Sequence, residues 1–236
     1  MTTLIKEKIE IEGFRWYPSS RKREVWYPSV TSILEYFPKG KRFEMYLANQ
    51  ESYESSQTIL KAAGQRGTNV HKGTELLESG IVLLRENYSL EEWQHLEGFV
   101  NWWKKYRPEK IAIEKSLVSD KLKTGGTVDR IYRIGEEIVL LDIKTSSAIH
   151  DNYWSQTATY AKLWEEKYPE CPITNTAILR TAPRRKDGYE FAIHTRNEIE
   201  EDFKIFKSVQ LLWNYLNPNA KPKIIEVPET LSLNEN

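Results

Sequence analysis

The stretch Gly125-Gly126-Thr127-Val128-Asp129-Arg130-Ile131-Tyr132-Arg133-Ile134, then Gly135-Glu136-Glu137, then Ile138-Val139-Leu140-Leu141-Asp142-Ile143-Lys144-Thr145, decides how this chain folds. Two runs rich in Val, Ile, Leu and Tyr flank a turn led by glycine, which is a hairpin signal. With Gly135 and Glu136 as a two-residue loop, glycine first as a type II′ turn prefers, Ile134 faces Glu137. Counting outward from that pair sets Asp129 directly opposite Asp142. A four-residue loop from Ile134 to Glu137 keeps this register, and a three-residue loop breaks it. Side chains alternate along a strand, so Asp142 and Lys144 share a face, and Asp129 shares it with them. Opposed carboxylates repel one another and destabilise a sheet unless positive charge lies between them. A divalent cation with the Lys144 ammonium beside it meets that need. A solvated face with scattered charge is the other reading of this stretch taken alone.

The 236 residues, 39% of them hydrophobic, suffice for one globular domain with a sizeable core. No apolar run approaches the ~18 residues of a membrane span. Met1 to Glu7 carries no apolar signal-peptide stretch, so a soluble, cytoplasmic protein is expected. Cys171 is the single cysteine, which excludes a disulfide framework, a zinc cluster or an iron–sulfur site built from this chain's thiolates. The 34 basic and 34 acidic residues cancel, so any binding of nucleic acid must rest on local clusters. Arg21-Lys22-Arg23 and Arg184-Arg185-Lys186 are two such clusters, each readable also as a solvated turn. Eight Trp and thirteen Tyr offer rings for unpaired bases, although most are expected in the core.

Around the hairpin the chain alternates in character. Residues 4 to 28 read as short strands and turns, followed by a helix near Val30 capped by Ser29 or Thr31 and a further helix over Arg42 to Asn49. Arg66 to Leu77 is helical, with His71 and Glu75 on one face, where the carboxylate can fix the ring tautomer. A lone histidine on a helix is more often a structural hydrogen-bonder. Ser89-Leu90-Glu91-Glu92 is a capping box opening a helix to Tyr106. Ile111 to Val118 is a strand beside the hairpin, and it places Glu114 either on the acidic face or as an edge charge. Asp151 to Tyr168 is a helix with Gln156 and Tyr160 on one face. Ile173 to Ala182 and Tyr189 to Ile193 are strands joined by the basic turn. Thr195-Arg196-Asn197-Glu198 caps a last helix with an apolar stripe from Ile199 to Leu216. This order gives an α/β architecture with a mixed sheet.

Four of these pieces in sequence resemble the RecB-like branch of the PD-(D/E)XK nucleases. They are Arg66-Gly67-Thr68-x-x-His71-x-x-x-Glu75, Gly126-x-x-Asp129, Asp142-x-Lys144-Thr145 and Gln156-x-x-x-Tyr160, spanning roughly residues 66 to 195. Pro28-Ser29-Val30-Thr31 is similar, less specifically, to the start of the mitochondrial genome-maintenance exonuclease subgroup. The resemblance implies a restriction-endonuclease-like core, with a mixed central sheet flanked by helices, plus a helical N-terminal part. One nuclease domain is then expected over residues 1–218: a mainly helical front over 1–110, a catalytic sheet core over 111–195 and a C-terminal helix over 196–216. A polar tail, 219–236, follows.

The resemblance further implies phosphodiester hydrolysis with Mg²⁺ or Mn²⁺. Asp129, Asp142 and the Ile143 carbonyl match metal ligands, and His71 matches the extra ligand of this branch. Lys144 matches the catalytic lysine, and Glu114 is a further catalytic candidate. Gln156 and Tyr160 match the motif near the DNA. Arg66, Thr145, Arg184, Arg185 and Lys186 are the other candidate substrate contacts. Val128 replaces the proline of restriction-enzyme relatives, and the cysteines of iron–sulfur members are absent, so no iron–sulfur cluster is expected. The chemistry agrees: carboxylate and carbonyl oxygens suit a hard cation, and one imidazole makes Mn²⁺ a comfortable alternative. Lys144 can orient the attacking water, or act as a base if its pKa is depressed. The expected function is an exonuclease on single-stranded DNA or DNA ends in replication, repair or recombination, with DNA and a helicase, a replication partner or further copies of the chain as partners. A flap endonuclease on the same fold and a catalytically silent nucleic-acid-binding module are the alternatives. The complete set of Asp129, Asp142 and Lys144 argues against silence.

Overall fold

The computed structural model describes residues 8–11, 13–22, 24–40 and 52–223. Three short strands, β1 (Ile9–Ile11), β2 (Phe14–Pro18) and β3 (Trp26–Pro28), form a small antiparallel sheet. Helix α1 (Val30–Leu34) follows, and its cap is Ser29, whose hydroxyl accepts the Ser32 N–H. The helix expected over Arg42 to Asn49 lies outside the described residues. Helix α2 (Tyr53–Glu78) is 26 residues long and contains the Arg66–Leu77 pattern in its second half. Helix α3 (Leu90–Tyr106) begins at the expected capping box, with Ser89 and Glu92 bonded reciprocally.

The remaining elements are β4 (Glu109–Ser119), β5 (Thr124–Ile134), β6 (Glu137–Lys144), α4 (Asp151–Lys167), β7 (Asn175–Thr181), β8 (Tyr189–His194) and α5 (Arg196–Leu216). The five strands make one mixed sheet in the order β4-β5-β6-β7-β8, in which β6 and β7 run parallel and the other neighbours antiparallel. A parallel pair needs a crossover, and α4 supplies it. The hairpin has the expected register, from Ile134 opposite Glu137 to Arg130 opposite Leu141. Gly135 takes φ 62°, which a glycine reaches without steric penalty.

Both faces of the sheet are covered, which is why Ile138 to Ile143 reads as an almost unbroken apolar run. On one face Ile131, Leu140, Leu163, Trp164, Phe206 and Trp213 pack among the residues of α1, α4 and α5. On the other, Tyr132, Val139, Leu141 and Ile143 pack against Phe99 and Trp102 of α3. Among the described residues Trp16, Tyr17, Trp102, Tyr132, Tyr160, Trp164, Tyr189 and Trp213 are buried, and Trp26, Tyr36, Trp103, Tyr106 and Tyr168 pack half-buried against the core. Asp142 interrupts the apolar run near the end of β6, on the face that carries Leu140. Among the described residues no helix is long and apolar enough to cross a membrane.

Candidate active site

Asp142 is 1% exposed, and its immediate neighbours come from its own strand and from α4. Lys144 Nζ lies 2.7 Å from Asp142 Oδ2. Gln156 donates from Nε2 to Asp142 Oδ1 at 3.0 Å, and its own Oε1 accepts from Lys144 Nζ at 3.4 Å. One helical turn on, the Tyr160 ring lies directly over Gly126 and its hydroxyl is 3.5 Å from Gln156 Nε2. Gln156 and Tyr160 are thus placed behind Asp142, largely buried, rather than on the cleft wall.

Asp129 continues the register beyond Arg130, but its side chain replaces the next backbone bond: Oδ2 accepts the Ile143 N–H at 3.0 Å. His71, on α2, bridges to the same place. Its Nδ1 is 3.5 Å from Asp129 Oδ2 and its Nε2 is 2.9 Å from the Ile143 carbonyl oxygen. That carbonyl, and not Glu75 as its spacing predicted, orients the ring; Glu75 lies along the same cleft. Glu114 joins the acidic face: ligand atoms of His71, Glu114 and Asp129 all lie within 4.8 Å of one another. Asp142 stands beside this trio with its carboxylate turned to Lys144 and Gln156.

The electrostatics follow from crowding carboxylates in a half-buried corner. Burial, and then the charge of Asp129, push Glu114 above the ordinary carboxylate range. Burial pushes Asp142 up to about 6, with Asp129 adding to the rise and Lys144 opposing it. Burial works to lower the Lys144 pKa, but the charges of Asp142 and Asp129 outweigh it and the ammonium ends above its ordinary value. Lys144 is therefore a fixed cation in this setting, which favours orientation over proton abstraction. The Tyr153 ring lies 4.6 Å from its Nζ.

These residues fit a divalent cation. Carboxylate and carbonyl oxygens with one imidazole are the donors that Mg²⁺ and Mn²⁺ take. Burial and the neighbouring Asp129 charge raise both Glu114 and Asp142, so a cation placed among these carboxylates would relieve their crowding.

The trio opens into a cleft of about 710 Å³ walled by α2 on one side and by residues 143–146 on the other. Arg66, Thr145 and Lys144 line it, together with Arg15, Lys72 and Tyr153, which the sequence did not single out. Arg66 is tied to Glu91 at 2.9 Å, and its Nε is buried without a partner. Gly67 faces Thr145, whose Oγ1 would be in ordinary contact, 3.6 Å away, with a Cβ at that position. Arg184, Arg185 and Lys186 sit beyond the end of β7, at the same end of the sheet as Lys144, but none lines the cleft. Arg185 pairs with Glu190 at 3.1 Å. Arg21 lies 3.9 Å from Asp120 on a different turn, and Arg23 is outside the described residues.

No family model matches this chain, and no curated protein matches it. Among solved structures, it is similar to a crystal structure from Eubacterium rectale whose protein is provisionally designated an exonuclease. The identity is 12% and the TM-score 0.49, with 86% of this chain and 91% of that one covered.

Proposed function

We propose that this chain is a metal-dependent nuclease of the RecB-like PD-(D/E)XK kind, hydrolysing DNA phosphodiester bonds as an exonuclease on single strands or DNA ends. The observation that carries the reading is the convergence of His71, Glu114, Asp129 and the Ile143 carbonyl, with Asp142 and Lys144 beside them, on one wall of an open cleft. Sheet pairing brings Asp129 and Asp142 together from positions 13 residues apart, and α2 delivers His71 from 58 residues before Asp129. Core packing alone gives no reason for such a gathering.

In this reading Asp129, Asp142, Glu114, His71 and the Ile143 carbonyl hold Mg²⁺ or Mn²⁺. Such an ion supplies Lewis acidity and positive charge against the charge developing on the phosphate. Lys144, kept protonated and pinned by Asp142 and Gln156, points an N–H at the attacking water or a phosphate oxygen. Gln156 and Tyr160 hold Asp142 at its angle. Arg15, Arg66 and Lys72 along the cleft pair with backbone phosphates, a contact that positions DNA without reading its sequence. A role in replication, repair or recombination, a cytoplasmic setting, and work beside a helicase, a replication partner or further copies of the chain belong to the same proposal.

The test is degradation of end-labelled single-stranded DNA with Mg²⁺, Mn²⁺ or EDTA. Cutting is expected with either metal, and is expected to fall at least about 10²-fold in Asp142→Ala and Lys144→Ala, the scale on which removing one transition-state contact acts. Substrates with blocked ends separate an exonuclease from a flap endonuclease. DNA binding without cutting of single strands, duplex, flaps or RNA would replace this reading with the silent binding module.

A further inference from the structure

Arg130 follows Asp129 and, by strand alternation, faces the other way, into the packing under α2 and α3. Its side chain has no exposed surface. A guanidinium taken out of water is costly unless it is paired and hydrogen-bonded. Here Nε donates to Glu78 Oε2 at 2.6 Å and Nη2 donates to Thr74 Oγ1 at 2.9 Å. Nη1 donates both to the Asp129 carbonyl oxygen, at 2.8 Å, and to Glu114 Oε1, at 3.1 Å. The other oxygen of Glu78 accepts from the Tyr132 hydroxyl. A well-packed apolar set of the same volume fills such a space at least as stably as ions do, so packing alone does not call for this cluster.

Two of these contacts lead to the acidic trio. Thr74 and Glu78 follow His71 at helical spacing on one face of α2. The guanidinium that ties this face to β5 therefore also sets the height at which His71 meets Asp129 and the Ile143 carbonyl. Glu114 sits at φ 45°, a left-handed conformation that is costly for a residue with a Cβ and persists only where the surroundings hold it. Arg130 Nη1 is a donor holding its carboxylate in place.

We propose that Arg130 is a positioning residue of the metal centre: paired with Glu78, it fixes Glu114 and the His71 face of α2 in the arrangement that takes a divalent cation. This inference rests on the metal-dependent reading of the site. Partners that orient metal ligands typically change affinity 10–100-fold when substituted.

The test is Mn²⁺ titration of the full chain by calorimetry, with thermal unfolding alongside, for the native protein, Arg130→Lys, Glu114→Gln and the double variant. Arg130→Lys is expected to weaken Mn²⁺ binding about tenfold or more. The double variant is expected to lose clearly less than the product of the two single losses, because the Arg130–Glu114 contact is common to both. A purely structural Arg130 would lower the unfolding temperature and leave Mn²⁺ affinity native, or its effect would multiply with that of Glu114→Gln; either result overturns the inference. Should Arg130→Lys fail to fold, Thr74→Val removes only the Nη2 contact. A several-fold weakening of Mn²⁺ binding that persists in the Glu114→Gln background then supports the inference, and native affinity overturns it. A native chain that takes up no Mn²⁺ overturns the proposed function and this inference with it. Native uptake unchanged by Arg130→Lys overturns this inference alone.

Discussion

Gly126→Ala tests whether the helix that crosses from β6 to β7 sets the geometry of the site. A methyl group at this position would lie 2.3 Å from Tyr160 Cε1, 3.0 Å from Cζ and 3.1 Å from Cδ1. Ordinary contact begins at 3.4 Å, so the ring must retreat by about 1.1 Å, the difference between 3.4 and 2.3 Å. It is 3% exposed and has little room to do so. Gly126 does not have a positive φ, so its backbone accepts alanine. Without the ring the substitution would stabilise by about 0.4–1 kcal/mol through the unfolded chain. Overpacking of a filled core costs about 1–3 kcal/mol and wins. The net loss is then up to about 2.6 kcal/mol and about 1.3 at the middle of both ranges, which lowers the unfolding temperature by about 3–5 °C in a chain of this size. Because Tyr160 shares its helix face with Gln156, and Gln156 holds Asp142 Oδ1, DNA cutting should fall as well. The assay is thermal unfolding of Gly126→Ala in the native and Tyr160→Leu backgrounds. Alanine should destabilise the first and be neutral or stabilising in the second. An equal change in both would refute the argument, since coupled neighbours must be non-additive.

The raised carboxylate pKa values predict opposite pH trends with and without metal. Asp142 titrates near 6 in the folded chain against an ordinary 3.8, so between those values the folded state holds a proton that the unfolded state has released. Metal-free stability therefore falls as pH rises through that window, and Glu114, shifted the same way, adds to the trend. Cations bind the deprotonated form, so the gain in unfolding temperature on adding Mn²⁺ should be larger at pH 7 than at pH 5; equal gains would refute the assignment. Replacing Arg184, Arg185 and Lys186 together by alanine should leave cutting of very short single strands within about twofold, because none of them lines the cleft. Affinity for long strands should lose up to about 2 units of salt slope, at ~0.7 per phosphate contact, and a tenfold fall in short-strand cutting would place the turn at the cut site instead.

The parts legible in the sequence were those written in local pattern. The hairpin register follows from apolar alternation and Gly135. The capping residues at Ser89 and Glu92 lie three positions apart, and the Gln156–Tyr160 face follows from helical spacing. What that face touches depends on how high α4 rides over the sheet, and this hid the turn of Gln156 toward Asp142. The half of α2 before Arg66 was not legible in the sequence, and Gly64, near its end, is a poor helix former. Gly73 has a tertiary use, since a Cβ there would lie 2.7 Å from a Leu96 methyl. Glu114 stayed ambiguous because its left-handed backbone has no sequence signature in a non-glycine residue. The Glu78–Arg130 pair joins residues 52 apart and exists only once α2 lies across β5.

Charge balance in this corner bears on how many ions the site takes. Glu78, Glu114, Asp129 and Asp142 are bound into one set of contacts with Arg130, Lys144 and His71. Arg130 is shared between Glu78 and Glu114, and Lys144 is paired with Asp142. Four carboxylates against two permanent cations leave two negative charges when the imidazole acts as a neutral ligand. Burial, with Asp129 adding to it, raises Glu114 and Asp142 even though Arg130 and Lys144 are paired with them. In the proposed reading one divalent ion would cancel that excess, and a second would reverse its sign beside Lys144. The balance therefore favours a single ion in the DNA-free chain, with any second ion depending on charge that only a substrate phosphate brings.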